Sequence, residues 1–199
     1  MPVDLPSLPY SYQALEPYIS ATALKVHHDV LQRRYVQKLN GLTRATNLDH
    51  MPLEELIVRG EGEIYDNAAQ VWNHTAFWQS MSPTGGGKPS RLSGFARSLS
   101  SFGPLDAVRH SIKAVAKGMF GSGWIWLVSD EQGYIHIWPG KDADNPMKYG
   151  YRPLLVIDLW EHAYFLDYKA DRLRFIDAFL DHLVNWPFAE ANYARAFGS

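Results

Sequence analysis

The densest chemistry in the chain lies in Val156-Ile157-Asp158-Leu159-Trp160-Glu161-His162-Ala163-Tyr164. An apolar strand pattern ends in a carboxylate, and a histidine follows four residues later, so both side chains can face one point. Such a pair offers a cation one hard oxygen and one borderline nitrogen. The plainer reading of the fragment is a helix N-cap at Asp158 and a core histidine at His162. His74 sits among aromatic residues in Gln70-Val71-Trp72-Asn73-His74-Thr75-Ala76-Phe77-Trp78. Alone it reads as a core histidine satisfied by one hydrogen bond, because a metal needs several convergent donors. His27 precedes Tyr35 by eight residues, close enough to a multiple of the helical repeat that both share a face. Its neighbour His28 reads as a surface residue. His50, His110, His136 and His182 have no comparable company and take no role. Together His27, His74, Asp158 and His162 form a nitrogen-rich, thiol-free set suited to iron or manganese.

The elements that must position this set follow from pattern and punctuation. Pro6, Pro9 and Pro17 describe an extended arm, and Ser20 is an N-cap for a helix of four to five turns reaching Leu39. A polar stretch, Asn40 to Pro52, leads to a second helical pattern from Leu53. It strengthens between Glu63 and Met81 and is apolar on most sides, as a buried helix requires. Three glycines and two prolines within residues 82–90 cannot continue a helix and mark a linker. Helical patterns at Arg91–Leu99 and Pro104–Met119 follow. Trp124–Val128 and Tyr134–Trp138 then read as a hairpin and Leu154–Ile157 as a third strand. Helices return at Glu161–Tyr168, Leu173–Asn185 and Pro187–Ala196. The expected fold is α+β: an N-terminal helical hairpin domain, residues 1–84, followed by an α/β domain, residues 90–199. In the second domain, helices surround a small three-stranded antiparallel sheet.

Composition narrows the partners. The 199 residues include 46% apolar and 14% aromatic side chains, enough for a substantial core. The 19 Lys and Arg against 21 Asp and Glu leave a net charge of −2, which argues against nucleic acid or anionic membrane as a partner. Without cysteine there are no disulfides, thiolate zinc sites, iron–sulfur ligands or cysteine nucleophiles. The first residues lack the basic and apolar regions of a secretion signal, and no stretch has the length of a membrane span, so the expectation is a cytoplasmic protein.

Several separated segments resemble the iron/manganese superoxide dismutase family. They run in the family's order from Leu8-Pro9-Tyr10 and Ala14-Leu15-Glu16-Pro17 through Asn67–Thr75 and Phe120–Trp124. Asp158-Leu159-Trp160-Glu161-His162-Ala163-Tyr164 and Val184-Asn185-Trp186 complete the series. The resemblance implies disproportionation of superoxide to dioxygen and hydrogen peroxide. It makes His27, His74, Asp158 and His162 the ligands of one metal per subunit. Gln70 would tune the potential as donor to a bound solvent, Tyr35 would relay between that solvent and the entrance, and Trp72, Trp78, Trp124, Trp126 and Trp160 would keep the site dry. Glu161 would reach His162 of a second protomer, and Tyr164 would stand at that junction, implying a homodimer or tetramer.

Family pattern also bears on the metal. Gln70 on the buried helix and Ala143 in the strand region match iron-type members, whereas Val156 matches neither the iron nor the manganese pattern. Iron is therefore the expected metal, with activity on both metals the alternative. A structural homologue that has lost catalysis is a further reading, disfavoured by the complete ligand set. Leu31 stands where most members carry a histidine, which implies altered proton delivery. Val30 and Gln32, read as neighbouring entrance positions, also depart from the pattern. Arg172 matches an interface arginine, and with Arg33 and Arg34 it would lend the entrance positive charge.

Overall fold

The computed structural model describes residues 2–198. After an arm whose Val3 backbone docks on the Asn40 side chain through two hydrogen bonds, the first helix, α1, spans residues 21–43. Ser20 caps it by accepting from the Ala23 N–H. Within α1 the α-helical segments Ala21–Lys25 and Arg33–Thr43 flank a π-helical turn, Val26–Gln32. The continuous pattern expected from Leu53 breaks into α2, Leu53–Arg59, and α3, Gly62–Gln79, because Gly60 leaves the helix and Gly62 takes a positive φ. α3 is buried over most of its length and packs against α1 and α2.

Helices α4, Gly94–Phe102, and α5, Leu105–Gly118, lead into the sheet. α4 starts later than Arg91 because Ser93 accepts from the Ala96 N–H and fixes the cap there. The strands are β1, Gly123–Ser129, β2, Ile135–Lys141, and β3, Arg152–Asp158, ordered β2-β1-β3 and antiparallel throughout. β1 is central and buried at every residue, which is why it reads as a continuous apolar and aromatic run. β2 lies at the edge, where Pro139 costs no ladder bond and exposed Lys141 discourages further pairing. β3 places Asp158 opposite Trp124 at the end of the ladder.

From that end the chain enters α6, Glu161–Tyr168. α7, residues 172–183, closes in a second π turn, Phe179–Leu183, and α8 is Trp186–Phe197, capped by Asn185. One core cluster joins the sheet to α5, α7, α8 and the end of α3. A second fills the space between α1, α2 and the first half of α3. α3 thus belongs to both, and His74 lies on it where they meet.

Residues 82–86 are not the free linker their composition suggests. Ser82 N–H donates to Leu183 O and Gly86 N–H to Val184 O, and Met81 bridges Val184. Gly86 has φ +86°, and a Cβ there would stand 2.1 Å from Asp181 O. Gly86→Ala is therefore expected to destabilise the protein by about 2–4 kcal/mol in urea unfolding. A change within 0.5 kcal/mol, the usual range for a neutral surface site, would show that this packing is dispensable.

Candidate metal centre

Four elements converge on one point. The π turn of α1 supplies His27, α3 supplies His74, the last residue of β3 supplies Asp158 and the first turn of α6 supplies His162. One potential ligand atom from each lies within 4.8 Å of the others. Asp158 Oδ2 is 3.1 Å from His27 Nε2, 3.4 Å from His162 Nε2 and 3.9 Å from His74 Nε2. All four atoms are buried, and none makes a well-aligned hydrogen bond. Unpartnered buried polar atoms are rare because each forfeits its hydration. Four of them aimed at one another is the arrangement a cation resolves.

The opposite ends of two of these side chains show how they are aimed. His74 Nδ1 lies 2.7 Å from Gln70 O, an atom that can only accept, so Nδ1 carries the proton and Nε2 keeps its lone pair for the site. Asp158 Oδ1 accepts from the Trp160 N–H at 2.9 Å, which turns Oδ2 inward. Asp158 thus bonds the entry to α6 without being its N-cap, which is Trp160. Aromatic rings close the remaining space. Trp78 meets His27 edge-on at 4.7 Å, Trp124 meets His74 edge-on at 5.0 Å, and Trp160 stacks on His162 at 5.6 Å. The donors, three imidazole nitrogens and one carboxylate oxygen, fit a first-row transition metal such as iron or manganese.

Tyr35 lies beside this set, its ring 5.5 Å from that of His74. Burial and the Asp158 charge push its hydroxyl pKa up, so it holds its proton at neutral pH. Gln70 is buried, supplies the backbone carbonyl that orients His74, and leaves Oε1 without a partner. Ala143 is buried too, its carbonyl accepting from Asn73 Nδ2, so position 143 brings no amide to this region. Glu161 is exposed and has no hydrogen-bond or ion-pair partner among the described residues. The Tyr164 hydroxyl accepts from Arg172 Nε at 3.1 Å, and its ring packs on Phe175.

Several sequence expectations need correction. Gln32 is not an entrance residue: it is fully buried, its Oε1 accepting from Trp78 Nε1 at 2.8 Å. His28 is not at the surface: it is 6% exposed, with Nε2 on Pro6 O and Nδ1 on Asp29 Oδ1. Arg172 is committed to the carbonyls of Met119 and Gly121 as well as to Tyr164, and Arg33 is tied to Asp29. Both guanidiniums are held in place, but the partners of Arg172 are neutral oxygens that leave its charge uncompensated, whereas Arg33 lies 4.0 Å from the Asp29 carboxylate. Gln32 and His28 both lie in the π turn of α1, whose buried positions are His27, His28 and Gln32.

Electrostatics keeps the nitrogens ready for a metal. Burial pushes His27 down to about 4 despite the pull of Asp158, and burial together with His27 pushes His74 down to about 3. Burial alone would raise Asp158, but His162 and His27 hold its carboxyl well below the usual range. An unfolded histidine takes its proton near the ordinary 6.5, so between that pH and about 4 the unfolded metal-free chain binds more protons than the folded one. Stability must then rise with pH through this window. Melting temperatures of metal-free protein should fall steadily as pH is lowered from 7 to 4.5, whereas a flat profile would contradict the neutral buried pair.

The two halves of the chain match known families separately. Residues 3–82 match the α-hairpin domain of iron/manganese superoxide dismutases, and residues 96–192 match their C-terminal domain. The chain is 44% identical to an iron superoxide dismutase of Coxiella burnetii over 97% of its own length and 99% of that protein's. It is 45% identical to an iron superoxide dismutase of Legionella pneumophila over 96% and 99%, respectively. To that of Synechococcus elongatus it is 42% identical over 98% and 99%. A four-donor centre at the meeting of hairpin, strand end and following helix, in a chain matched nearly end to end, places this protein in the iron/manganese superoxide dismutase family.

Proposed function

We propose that this protein is a superoxide dismutase that uses one iron per subunit, held by His27, His74, Asp158 and His162. The observation that carries the reading is the convergence of four buried, unpartnered donor atoms within 4.8 Å. When bound, iron supplies a one-electron couple that takes an electron from one superoxide, released as dioxygen, and returns it to a second, released with two protons as hydrogen peroxide. The protein's part is to hold the donors, keep bulk water out and deliver protons. Trp78, Trp124 and Trp160 form walls around the ligands, and a dry surround lets nearby hydrogen bonds tune the potential. Gln70, buried one helical turn from His74, is the residue we assign to that tuning. Tyr35, half-buried and keeping its proton at neutral pH, is the residue we assign to passing one inward from solvent. Iron is favoured over manganese because a glutamine at position 70 of the buried helix with alanine at position 143 is the pattern of iron-type members. Val156, on the same face of β3 as Asp158, leaves dual metal use as the alternative.

A homodimer is part of the proposal, with a tetramer as a larger alternative. Phe120 is 95% exposed, and Arg172 ties the carbonyls flanking it to Tyr164 on α6, the helix that carries exposed Glu161, Phe165 and Leu166. Exposed apolar side chains and an unpaired carboxylate next to a ligand thus lie on two segments that Arg172 ties together. Pairing these segments of two protomers about a two-fold axis would bring Glu161 of each protomer to His162 of the other. Among the described residues no helix is long and apolar enough to cross a membrane. The small net charge gives little attraction to anionic membrane or nucleic acid, and a cytoplasmic protein free of both is part of the proposal. The division into a hairpin domain, 1–84, and a C-terminal domain, 90–199, is our reading of the chain, supported by the separate family matches.

Metal-free protein reconstituted with iron should remove superoxide catalytically and scatter light as a particle of at least twice the 22.6 kDa chain mass. His74→Ala, which removes one of the four donors, should lower activity at least a hundredfold. Equal activity with manganese would move the assignment to dual metal use, and a fully loaded but inactive protein would overturn it. Leu31, half-buried in the π turn, offers no proton-bearing group. Stopped-flow decay should show proton-limited turnover at high pH that Leu31→His relieves several-fold. Unchanged kinetics in that variant would remove Leu31 from the account of proton supply.

A further inference from the structure

Gln32 closes the π turn of α1 with a fully buried side chain, and every hydrogen-bonding direction of its amide that matters to α3 is used. Oε1 accepts from Trp78 Nε1 at 2.8 Å, while Nε2 donates to Thr75 Oγ1 at 3.0 Å and to Val71 O at 3.3 Å. Thr75 Oγ1 in turn donates to Val71 O at 2.8 Å. A buried indole N–H needs an acceptor, and Gln32 is the one it has. The indole so held is a wall of the metal centre: 4.7 Å from the His27 ring at 77°, 6.3 Å from that of His74 and 5.1 Å from that of Phe77. His27 has no hydrogen bond on its inward nitrogen, so ring contacts carry much of its orientation.

We propose that Gln32 is a positioning residue of the metal centre: it locks the Trp78 indole against His27 and so sets the angle at which the first ligand presents its lone pair. The network also spans the two elements that supply His27 and His74, because α1 contributes the amide and α3 the indole, the hydroxyl and the carbonyl. Glutamine suits the place because it combines a donor and an acceptor at one planar end without charge. Methionine has similar length and neither function. Histidine has one acceptor and one donor nitrogen and can serve the Trp78 N–H and one of the two acceptors on α3. The proposal rests on the four-donor reading of the centre but not on which reaction the centre performs.

The test is calorimetric titration of metal-free protein with Co2+, with the visible spectrum of the bound ion as second readout. Gln32→Met is expected to weaken Co2+ binding about tenfold, the size found when outer partners of metal ligands are removed, and to alter the spectrum. Gln32→His should stay within about twofold of the unaltered protein. In a Trp78→Phe background, where the N–H is gone, Gln32→Met should cost little further, because a residue acting through that N–H shows strong non-additivity. If Gln32→Met is too unstable to titrate, Trp78→Phe alone carries the same expected weakening. Unaltered affinity and spectrum in Gln32→Met, or fully additive losses in the double variant, would overturn the proposal. Tight Co2+ binding by protein that shows no dismutation with iron would sink the proposed reaction and leave the Gln32 assignment standing.

Discussion

Three imidazole lone pairs and a carboxylate oxygen crowd into a space from which water is excluded, and much of the molecule answers to that crowding. A buried carboxylate is costly unless paired, and a buried imidazole resists the proton that would pair with it, as the depressed His27 and His74 show. In the metal-free protein the Trp160 N–H donates to Oδ1 of Asp158 and the neighbouring imidazoles favour its charge, but Oδ2 has no well-aligned donor. A cation at the focus would satisfy all four donors together. Metal binding and folding are therefore expected to reinforce each other, since the unfolded chain holds no such site.

Holding four donors on one focus demands stiff elements approaching from different directions. The sheet contributes by its register: Trp124 lies opposite Asp158, so the central strand fixes both the carboxylate and a ring against His74. α3 contributes by its burial, spanning both core clusters so that His74 is held on all sides. α1 contributes by its winding, the π turn carrying His27 and Gln32 into the same interior. α6 is the most exposed of the four, and its His162 is the least buried ligand. That asymmetry leaves one side of the centre near the face where a second protomer would dock.

The sequence carried the donors more clearly than the winding that presents them. Asp158 and His162 flank a strand–helix junction, and His74 lies in an aromatic helix, so residue type and spacing sufficed to nominate them. The hairpin strands and the sheet were legible because β-branched and aromatic runs alternate with glycine turns. The π turn was not, because a single i→i+5 turn needs neither glycine nor proline and leaves no compositional mark. Gln32, read as an entrance position from family pattern, and His28, read as a surface residue, both lie on that turn and are buried. The break at Gly60–Gly62 had a signal in its paired glycines, overridden by the strong apolar pattern on either side. The packing of residues 82–86 against Leu183 and Val184 is a long-range contact that local composition could not announce.

Anomalous X-ray scattering at the iron edge, on crystals of iron-loaded protein, addresses the convergence itself. The account predicts one strong peak per chain, bonded to His27 Nε2, His74 Nε2, Asp158 Oδ2 and His162 Nε2 together. A peak elsewhere, or one that leaves any of the four atoms unbound, would contradict it.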